Sequence, residues 1–330
     1  MPINSKNKNL SVTIVCQLFY PECISTGQSM TELAEEIVKN NWKVDVLCGP
    51  PTIKKSKSKT PKNIEYKTIK IKRVWGTQFS KLSFIGKLIN QLTFSTSIII
   101  NLCFNKNKSP LLIITNPPFL PFLIALIKPI HKRKIIFKIA DLYPDTLVAC
   151  NLFKENSLII KFWRATNQWL YKKVDHIIVL GRCMKNRIQE SSSINLSNKI
   201  NIIPVWCDDK LIQSSRGNTK SYFEKWGIKD KFVCLHAGNI GRFHEIKTFI
   251  NSAIQLRENR NILFLFVGDG HQRAWIEKKI EEENLTNILV KDYVPRKDLG
   301  KMLNSASIGL VSLKEGNEGC SVPSKTFGLL

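Results

Sequence analysis

Three glycine-bearing runs in the last third of the chain have the residue types and spacing to hold an anion. They are His236-Ala237-Gly238-Asn239-Ile240-Gly241-Arg242, Val267-Gly268-Asp269-Gly270 and Glu318-Gly319-Cys320-Ser321-Val322-Pro323-Ser324-Lys325. Each follows an apolar run of strand character, and each leads into a segment that reads, or could begin, as a helix. A helix that opens on a glycine turn presents unpaired N–H groups and a partial positive charge, which together suit a phosphate. Spaced by whole strand–helix units, the three turns fall along one edge of a parallel sheet, where open α/β folds bind ligands. The chemistry implied is a nucleotide-diphosphate site.

Other chemistries find less support. No two Asp residues are separated by one position, so the pair that usually bridges a divalent cation to a diphosphate is missing and no metal site is expected. Neither G-x-G-x-x-G nor G-x-x-x-x-G-K-[ST] occurs. Two-carboxylate glycosidase chemistry could draw on Glu318, Asp141 and Asp145, but a lone carboxylate is more often a solvated surface group. Among the histidines, His131 and His176 read as structural, and His271 as a rim residue. His244, beside the first glycine run at a helix start, is a candidate donor contact.

The elements that must position these residues alternate between strand and helix. In the first half, strands are expected at 12–16, 42–48, 64–74, 111–115, 134–140, 176–180 and 199–205. Helices follow Gly27, span 84–104, start at the prolines near 117, and span 157–173. The second half reads βαβαβαβ, with strands at 232–236, 262–267, 288–290 and 308–313 and helices at 245–256, 273–283 and 296–304. Strands alternating with helices of this length imply parallel sheets with right-handed crossovers. Two doubly wound domains are expected: residues 1–212, a polar linker over 213–226, and residues 227–330. The chain stops at Leu330 as a further helix begins, which reads as an incomplete C-terminal domain.

The 330 residues carry 50 Lys and Arg against 26 Asp and Glu, a formal charge of +24. Nine of the basic residues lie between Lys54 and Arg73 with a single acid, Glu65. Such a surface attracts polyanions: nucleic acid, anionic lipid or a diphosphate substrate. A lysine-, asparagine- and isoleucine-rich composition would also produce it without function. Nucleic acid is disfavoured, since only Tyr66 is interleaved as an aromatic in the basic stretch and no recognition motif occurs. The nine scattered cysteines form no C-x-x-C pair, which fits a reducing cytosol rather than a zinc site. Residues 84–104 are too polar for a confident membrane span and read as a packed helix, with contact to a bilayer surface as the alternative.

Taken in order, Gly238-Asn239-Ile240-Gly241-Arg242, Gly268-Asp269-Gly270 and Val322-Pro323-Ser324-Lys325-Thr326 resemble the family 4 (group 1) retaining glycosyltransferases of the GT-B fold. The branch most similar contains bacterial O-antigen and capsule enzymes, named as fucosamine or colanic-acid transferases. Tyr20-Pro21 through Gly27, Asn116-Pro117-Pro118 and Asp141-Leu142-Tyr143-Pro144-Asp145 resemble that branch too. The resemblance implies two Rossmann-like domains facing a cleft, with the donor in the C-terminal one. Gly238, Asn239, Gly241 and Arg242 would wrap the diphosphate, with His244, Gly268, Asp269 and Gly270 nearby and Tyr293-Val294 flanking the base. The Glu318–Lys325 loop, including Ser321, Pro323 and Ser324, would contact ribose, phosphate and sugar. Lys325 would neutralise the leaving diphosphate. Gly27, Asp141 and Asp145 would line the acceptor side, with Glu318, Lys325 and Asp141 the catalytic candidates.

The pattern also departs from the family. Asn239 and His244 stand where many relatives carry Arg and Lys, Thr326 stands at the second position of the E-x7-E pair, and Ala140 replaces a common His. The expected function is transfer of a sugar, without cofactor, from a nucleotide-diphosphate sugar to a polyprenyl-diphosphate-linked glycan. The protein would then sit at the inner face of the cell membrane as a peripheral cytoplasmic enzyme, on an anionic membrane surface. A nucleotide-sugar epimerase or hydrolase of the same architecture, or an inactive interaction scaffold, are the alternatives.

Overall fold

The computed structural model describes residues 10–22, 25–51, 61–80, 83–207 and 222–329. The chain divides into two compact units, one of residues 1–143 and 156–203, the other of residues 144–155 and 204–330.

The first unit is an eight-stranded sheet built from β1 (Ser11–Cys16), β2 (Lys43–Cys48), β3 (Asn63–Tyr66), β4 (Ile69–Arg73), β5 (Leu111–Ile114), β6 (Ile135–Lys138), β7 (His176–Val179) and β8 (Ile200–Ile202). Its order is β3-β4-β2-β1-β5-β6-β7-β8. Every pairing is parallel except β3 with β4. The order reverses between β1 and β5, which marks the switch point of a doubly wound sheet. The helices are α1 (Ser25–Lys39), α2 (Phe84–Phe104), α3 (Leu120–Leu126), α4 (Lys128–His131), α6 (Leu158–Lys173) and α7 (Arg182–Ser191), with α5 (Asp145–Ala149) grouped in the second unit. Central strands such as Leu111–Ile114 are buried along their whole length, as expected where helices cover both faces.

The run 64–74, expected as one strand, is instead a hairpin. Lys67 and Thr68 both take positive φ (47° and 67°) between β3 and β4. Two consecutive left-handed residues give the tight turn whose twist suits a hairpin, and neither is the Gly or Asn that usually signals it. The basic stretch is divided accordingly. Lys54, Lys55, Lys57 and Lys59 lie outside the described residues, Lys67 pairs with Glu35 at 2.8 Å, and Arg73 is buried.

The second unit is a four-stranded parallel sheet in the order β11-β10-β9-β12. Its strands are β9 (Phe232–Ala237), β10 (Ile262–Val267), β11 (Ile288–Lys291) and β12 (Ile308–Gly309), and its further helices are α8 (Lys247–Gln255), α9 (Arg273–Glu282), α10 (Arg296–Asn304) and α11 (Thr326–Leu329). Alternate strand residues feed two cores. Cys234, Phe264 and Phe266 join Ile240, Ile250 and Ile276 on one face, while Val233, Leu235, Leu265 and Val267 meet Phe223 and Met302 on the other. Each such side chain contributes about 1.5–3 kcal/mol on burial. β12 is much shorter than the expected 308–313, because only Ile308 and Gly309 pair with β9, at Cys234 and Leu235. The end of the stretch read as a linker, Tyr222–Trp226, is a 3-10 helix whose Phe223 is buried in the second core; the rest of it lies outside the described residues.

Candidate functional site

The first two glycine turns close on each other at the carboxyl ends of adjacent strands. The Gly238 N–H donates to Val267 O (2.8 Å), and the Ile240 N–H donates to Asp269 O (2.9 Å). Gly268 takes φ 146°, and a Cβ there would lie 2.0 Å from Gly238 O. Gly270 takes φ 154°, where a Cβ would meet Ile240 O at 2.6 Å and Asn239 Oδ1 at 2.7 Å. Both glycines are therefore required by turn-against-turn packing, whatever else they contact. Ile240 is fully buried in the core and anchors the loop. From the other side Gln272, at the start of α9, donates through Nε2 to Gly241 O (2.6 Å) and His244 O (3.0 Å). The Asp269 carboxylate accepts from the Gly270 N–H (2.7 Å), so it braces its own turn. The helix geometry is less uniform than the sequence implied: α9 opens three residues after Gly270, whereas α8 begins only at Lys247.

Lys325 lies over the first turn. Its Nζ donates to Asn239 O (3.1 Å) and to His236 Nε2 (2.8 Å). His236 is fully buried at the end of β9, and its Nδ1 lies 3.2 Å from Leu310 O. A carbonyl only accepts, so Nδ1 carries the proton and Nε2 offers a lone pair to the ammonium. Burial, reinforced by the Lys325 charge, holds His236 down at about 3, so it stays neutral. Burial also lowers Lys325 to about 7. Among the described residues no carboxylate pairs with it. The sequence shows His236 only as the first residue of the glycine run, with no role of its own, because it sits inside an apolar strand; the signal available was a histidine two residues before the glycine.

The surrounding residues divide between structure and opening. His244 is buried, its Nδ1 2.9 Å from Ser312 O and its ring edge-on to His236 at 5.6 Å; burial lowers its pKa. Its role here is to fasten the loop to the segment after β12. The Lys314 N–H continues that link to Phe243 O (2.8 Å). Arg242 and Glu318 are exposed, as is Ser324, while Ser321 and Pro323 are half-buried. The Thr326, Phe327 and Gly328 N–H groups return to Pro323, Ser324 and Lys325 carbonyls, so α11 opens directly on the residues carrying Lys325. Val294 packs against the second core, and the exposed Tyr293 donates through its hydroxyl to Asp269 O (3.3 Å).

In the first unit, Gly27 lies inside α1 rather than in a loop before it. A Cβ there would sit 2.7 Å from Glu22 Cβ, so glycine admits the Glu22 side chain against the first turn. Thr31 bridges Gly27 O (2.8 Å) and the Tyr20 N–H (3.1 Å). Asp141 follows β6, and its N–H and that of Ala140 donate to Thr115 Oγ1 at 3.3 and 3.2 Å. Burial lifts its carboxyl to about 6, against the opposing pull of Lys138. Asp145 opens α5, so the two aspartates fall in different units. Arg73 is a clamp: its guanidinium donates to Tyr20 O (2.6 Å) and Gly49 O (3.4 Å), which removes it from any free basic surface.

Residues 218–323 match the family model described as glycosyl transferases group 1. The chain is 27% identical over 213 residues to "Probable glycosyltransferase WbjE" of Pseudomonas aeruginosa, covering 64% of this chain and 52% of that one. It therefore spans about half the length of WbjE. It is 22% identical over 327 residues to "Putative colanic acid biosynthesis glycosyl transferase WcaI" of Escherichia coli (strain K12), covering 94% and 79%. Among solved structures, a sucrose-phosphate synthase from Thermosynechococcus elongatus shares the fold with a TM-score of 0.69 at 13% identity, over 92% of this chain and 75% of that one. WaaG, a glycosyltransferase involved in lipopolysaccharide biosynthesis, does so at 0.64 and 13%, again over 92% and 75%. Anabaena Alr3699/HepE, solved in complex with UDP, does so at 0.61 and 12%, over 91% and 73%. The fold is GT-B, and residues 218–323 carry the match to the group 1 glycosyltransferases.

Proposed function

We propose that this protein transfers a sugar from a nucleotide-diphosphate sugar to a lipid-linked glycan during cell-surface polysaccharide synthesis, with retention of anomeric configuration. The observation that carries the reading is Lys325: a cation over a glycine turn, held by two neutral acceptors and matched by no carboxylate among the described residues. An anion delivered to that turn would supply the missing charge. The leaving diphosphate gains negative charge as the glycosidic bond breaks, so a fixed ammonium beside it stabilises the transition state more than the ground state. His236 and the Asn239 carbonyl fix where that ammonium points. No metal is assigned a role in this scheme; Lys325, Arg242 and backbone N–H groups supply the charge stabilisation. UDP in the HepE structures supports a nucleotide donor by likeness of fold. Retention follows when the hydroxyl attacks from the face that the diphosphate leaves, its proton passing to the departing phosphate oxygen. Asp141, with its carboxyl near 6, is suited to orient the acceptor hydroxyl at neutral pH.

The test is a thermal-shift screen against UDP-, GDP- and dTDP-sugars, followed by transfer to a polyprenyl-diphosphate-linked sugar and assignment of the product anomer by NMR. Stabilisation by one nucleotide class and a product of unchanged anomeric configuration are expected. Release of free sugar or an epimer without acceptor would replace the transferase reading with a hydrolase or epimerase. No response to any nucleotide sugar would leave a scaffold.

A further inference from the structure

The first unit carries an apolar surface that its own fold does not use. Helices α2, α3 and α6 each follow a strand through a right-handed crossover in the same direction along the sheet, which places them side by side on one face. Phe119 stacks on Trp163 at 4.5 Å and Phe122 meets Trp169 at 5.1 Å, so α3 and α6 are in contact. In a parallel sheet the N-terminal turns of such helices lie at the carboxyl edge. There large apolar side chains stand exposed beside Lys87 and Lys161: Ile85 and Leu88 on α2, Phe119 beside α3, and Leu158 and Phe162 on α6, with Trp75 in the loop before α2. Leu158 is 83% exposed and Phe162 74% exposed. On α2 the pattern continues through Leu92, Ile100 and Phe104, while Phe94, Ile98 and Leu102 fill the core, so this helix is apolar on two sides. The expectation of a simply packed helix held for one of those sides only.

The charges on the same helices decide what meets this surface. The sequences of α2, α3, α4 and α6 contain no Asp or Glu; Lys128 is paired with Asp175 at 2.7 Å, which leaves Lys87, Lys161, Arg164, Lys172 and Lys173 as the basic residues of α2 and α6. A second copy of the chain docked isologously would bring two net-basic faces together, which like-charge repulsion opposes. An anionic bilayer satisfies both components: aromatic and aliphatic tips enter the headgroup boundary while lysines meet the lipid phosphates. Among the described residues no helix is long and apolar enough to cross a membrane, so the contact is with the surface. We infer that the α2–α3–α6 face of the first unit docks on an anionic lipid bilayer through its carboxyl-edge apolar rim. This deepens the proposed function, since it rests on an acceptor that resides in the membrane.

Co-sedimentation of the full chain with phosphatidylcholine vesicles, with and without phosphatidylglycerol, tests it. The chain should partition onto the anionic vesicles. Ile85→Glu with Phe162→Glu should weaken that at least about tenfold, since each change exchanges an inserted apolar group for a charge repelled by the surface. Lys87→Gln with Lys161→Gln, which cannot disturb a core, should weaken it in a salt-sensitive way. Nucleotide-sugar thermal shifts on the same proteins should stay unchanged. Wild-type protein remaining in the supernatant overturns the inference, as does unchanged partition of both variants. So does a concentration-dependent dimer that the Glu variant abolishes without any vesicle binding. Loss of nucleotide response with vesicle binding intact would count against the transferase reading and leave the lipid face standing.

Discussion

Each unit holds a cation among neutral acceptors, and the two differ in access. In the first unit Arg133 is 1% exposed and donates to Ser109 O (2.6 Å), Ser109 Oγ (3.0 Å) and the Thr13 hydroxyl. Burial lowers it to about 10, so it stays charged. In the second unit Lys325 donates to His236 and the Asn239 carbonyl but remains half-exposed at the rim of the glycine turns. The sealed cation ties β1, the segment before β5 and the segment before β6 together. The open one is the cation that the proposed reading sets against the donor diphosphate. Burial alone therefore does not separate the two cations; access on one side does, and the proposed function rests on that difference.

The largest effect should come from disturbing the platform under Lys325. Gly268→Ala places a methyl group 2.0 Å from Gly238 O at a φ that side chains rarely adopt. Backbone strain and overpacking together should cost about 3–5 kcal/mol, read as a loss of urea midpoint or melting temperature. If Gly268→Ala retains wild-type stability, the two turns are not locked and Lys325 has no fixed support.

Lys325→Met should lower kcat/KM about 30- to 100-fold, the size of one lost charge-assisted contact of roughly 2–3 kcal/mol in a transition state. Folding should not suffer. Lys325 sits well below the ordinary lysine value in the folded chain, so the unfolded chain binds the extra proton between about pH 7 and that higher value. Stability gained from this group thus rises with pH across that window, and the Met variant should lose that slope in a melting-temperature series. A variant with full activity would put Lys325 in the same class as Arg133.

The same proton gives a binding test. A diphosphate favours the ammonium form, so its arrival should raise the Lys325 pKa and take up a proton above pH 7. Donor affinity should then fall about tenfold per pH unit above the free value of about 7 until the bound value is reached. Calorimetry in buffers of different ionisation enthalpy measures the proton directly. Affinity flat from pH 6.5 to about 8.5 would break the contrast between the two cations.

These contrasts also separate what the chain announces from what it conceals. The alternation of strands and helices was readable because apolar periodicity is local, and α2, β10 and α10 fall on the expected residues. Glycine turns were readable as turns, but the reason for Gly268 and Gly270, one turn pressed on the other, is a contact between residues about thirty apart. His236 was hidden because a buried histidine in a strand looks like its apolar neighbours until its partner, 89 residues away, is placed beside it. The hairpin at Lys67-Thr68 was missed since its left-handed residues lack the usual signature. Arg73 and Lys67 were read by charge alone, and charge says nothing about which guanidinium faces a carbonyl.

The smallest effect is expected at Arg133, and it sharpens the comparison most. Arg133→Met removes three donated hydrogen bonds, yet it also removes a desolvated charge whose Nη1 has no hydrogen-bond partner among the described residues. Of the acceptors left behind, the Thr13 and Ser109 hydroxyls already share a bond of 2.7 Å, so only Ser109 O loses its donor outright. Replacing a buried ion with an apolar chain of similar length is often close to neutral, so a change within about 1 kcal/mol is expected. Activity should be untouched. A loss of several kcal/mol would mean that the guanidinium holds the strand ends together more strongly than its neutral partners suggest. A loss of activity at unchanged stability would mean that the sealed cation also acts on the reaction, and the distinction drawn from access would fail.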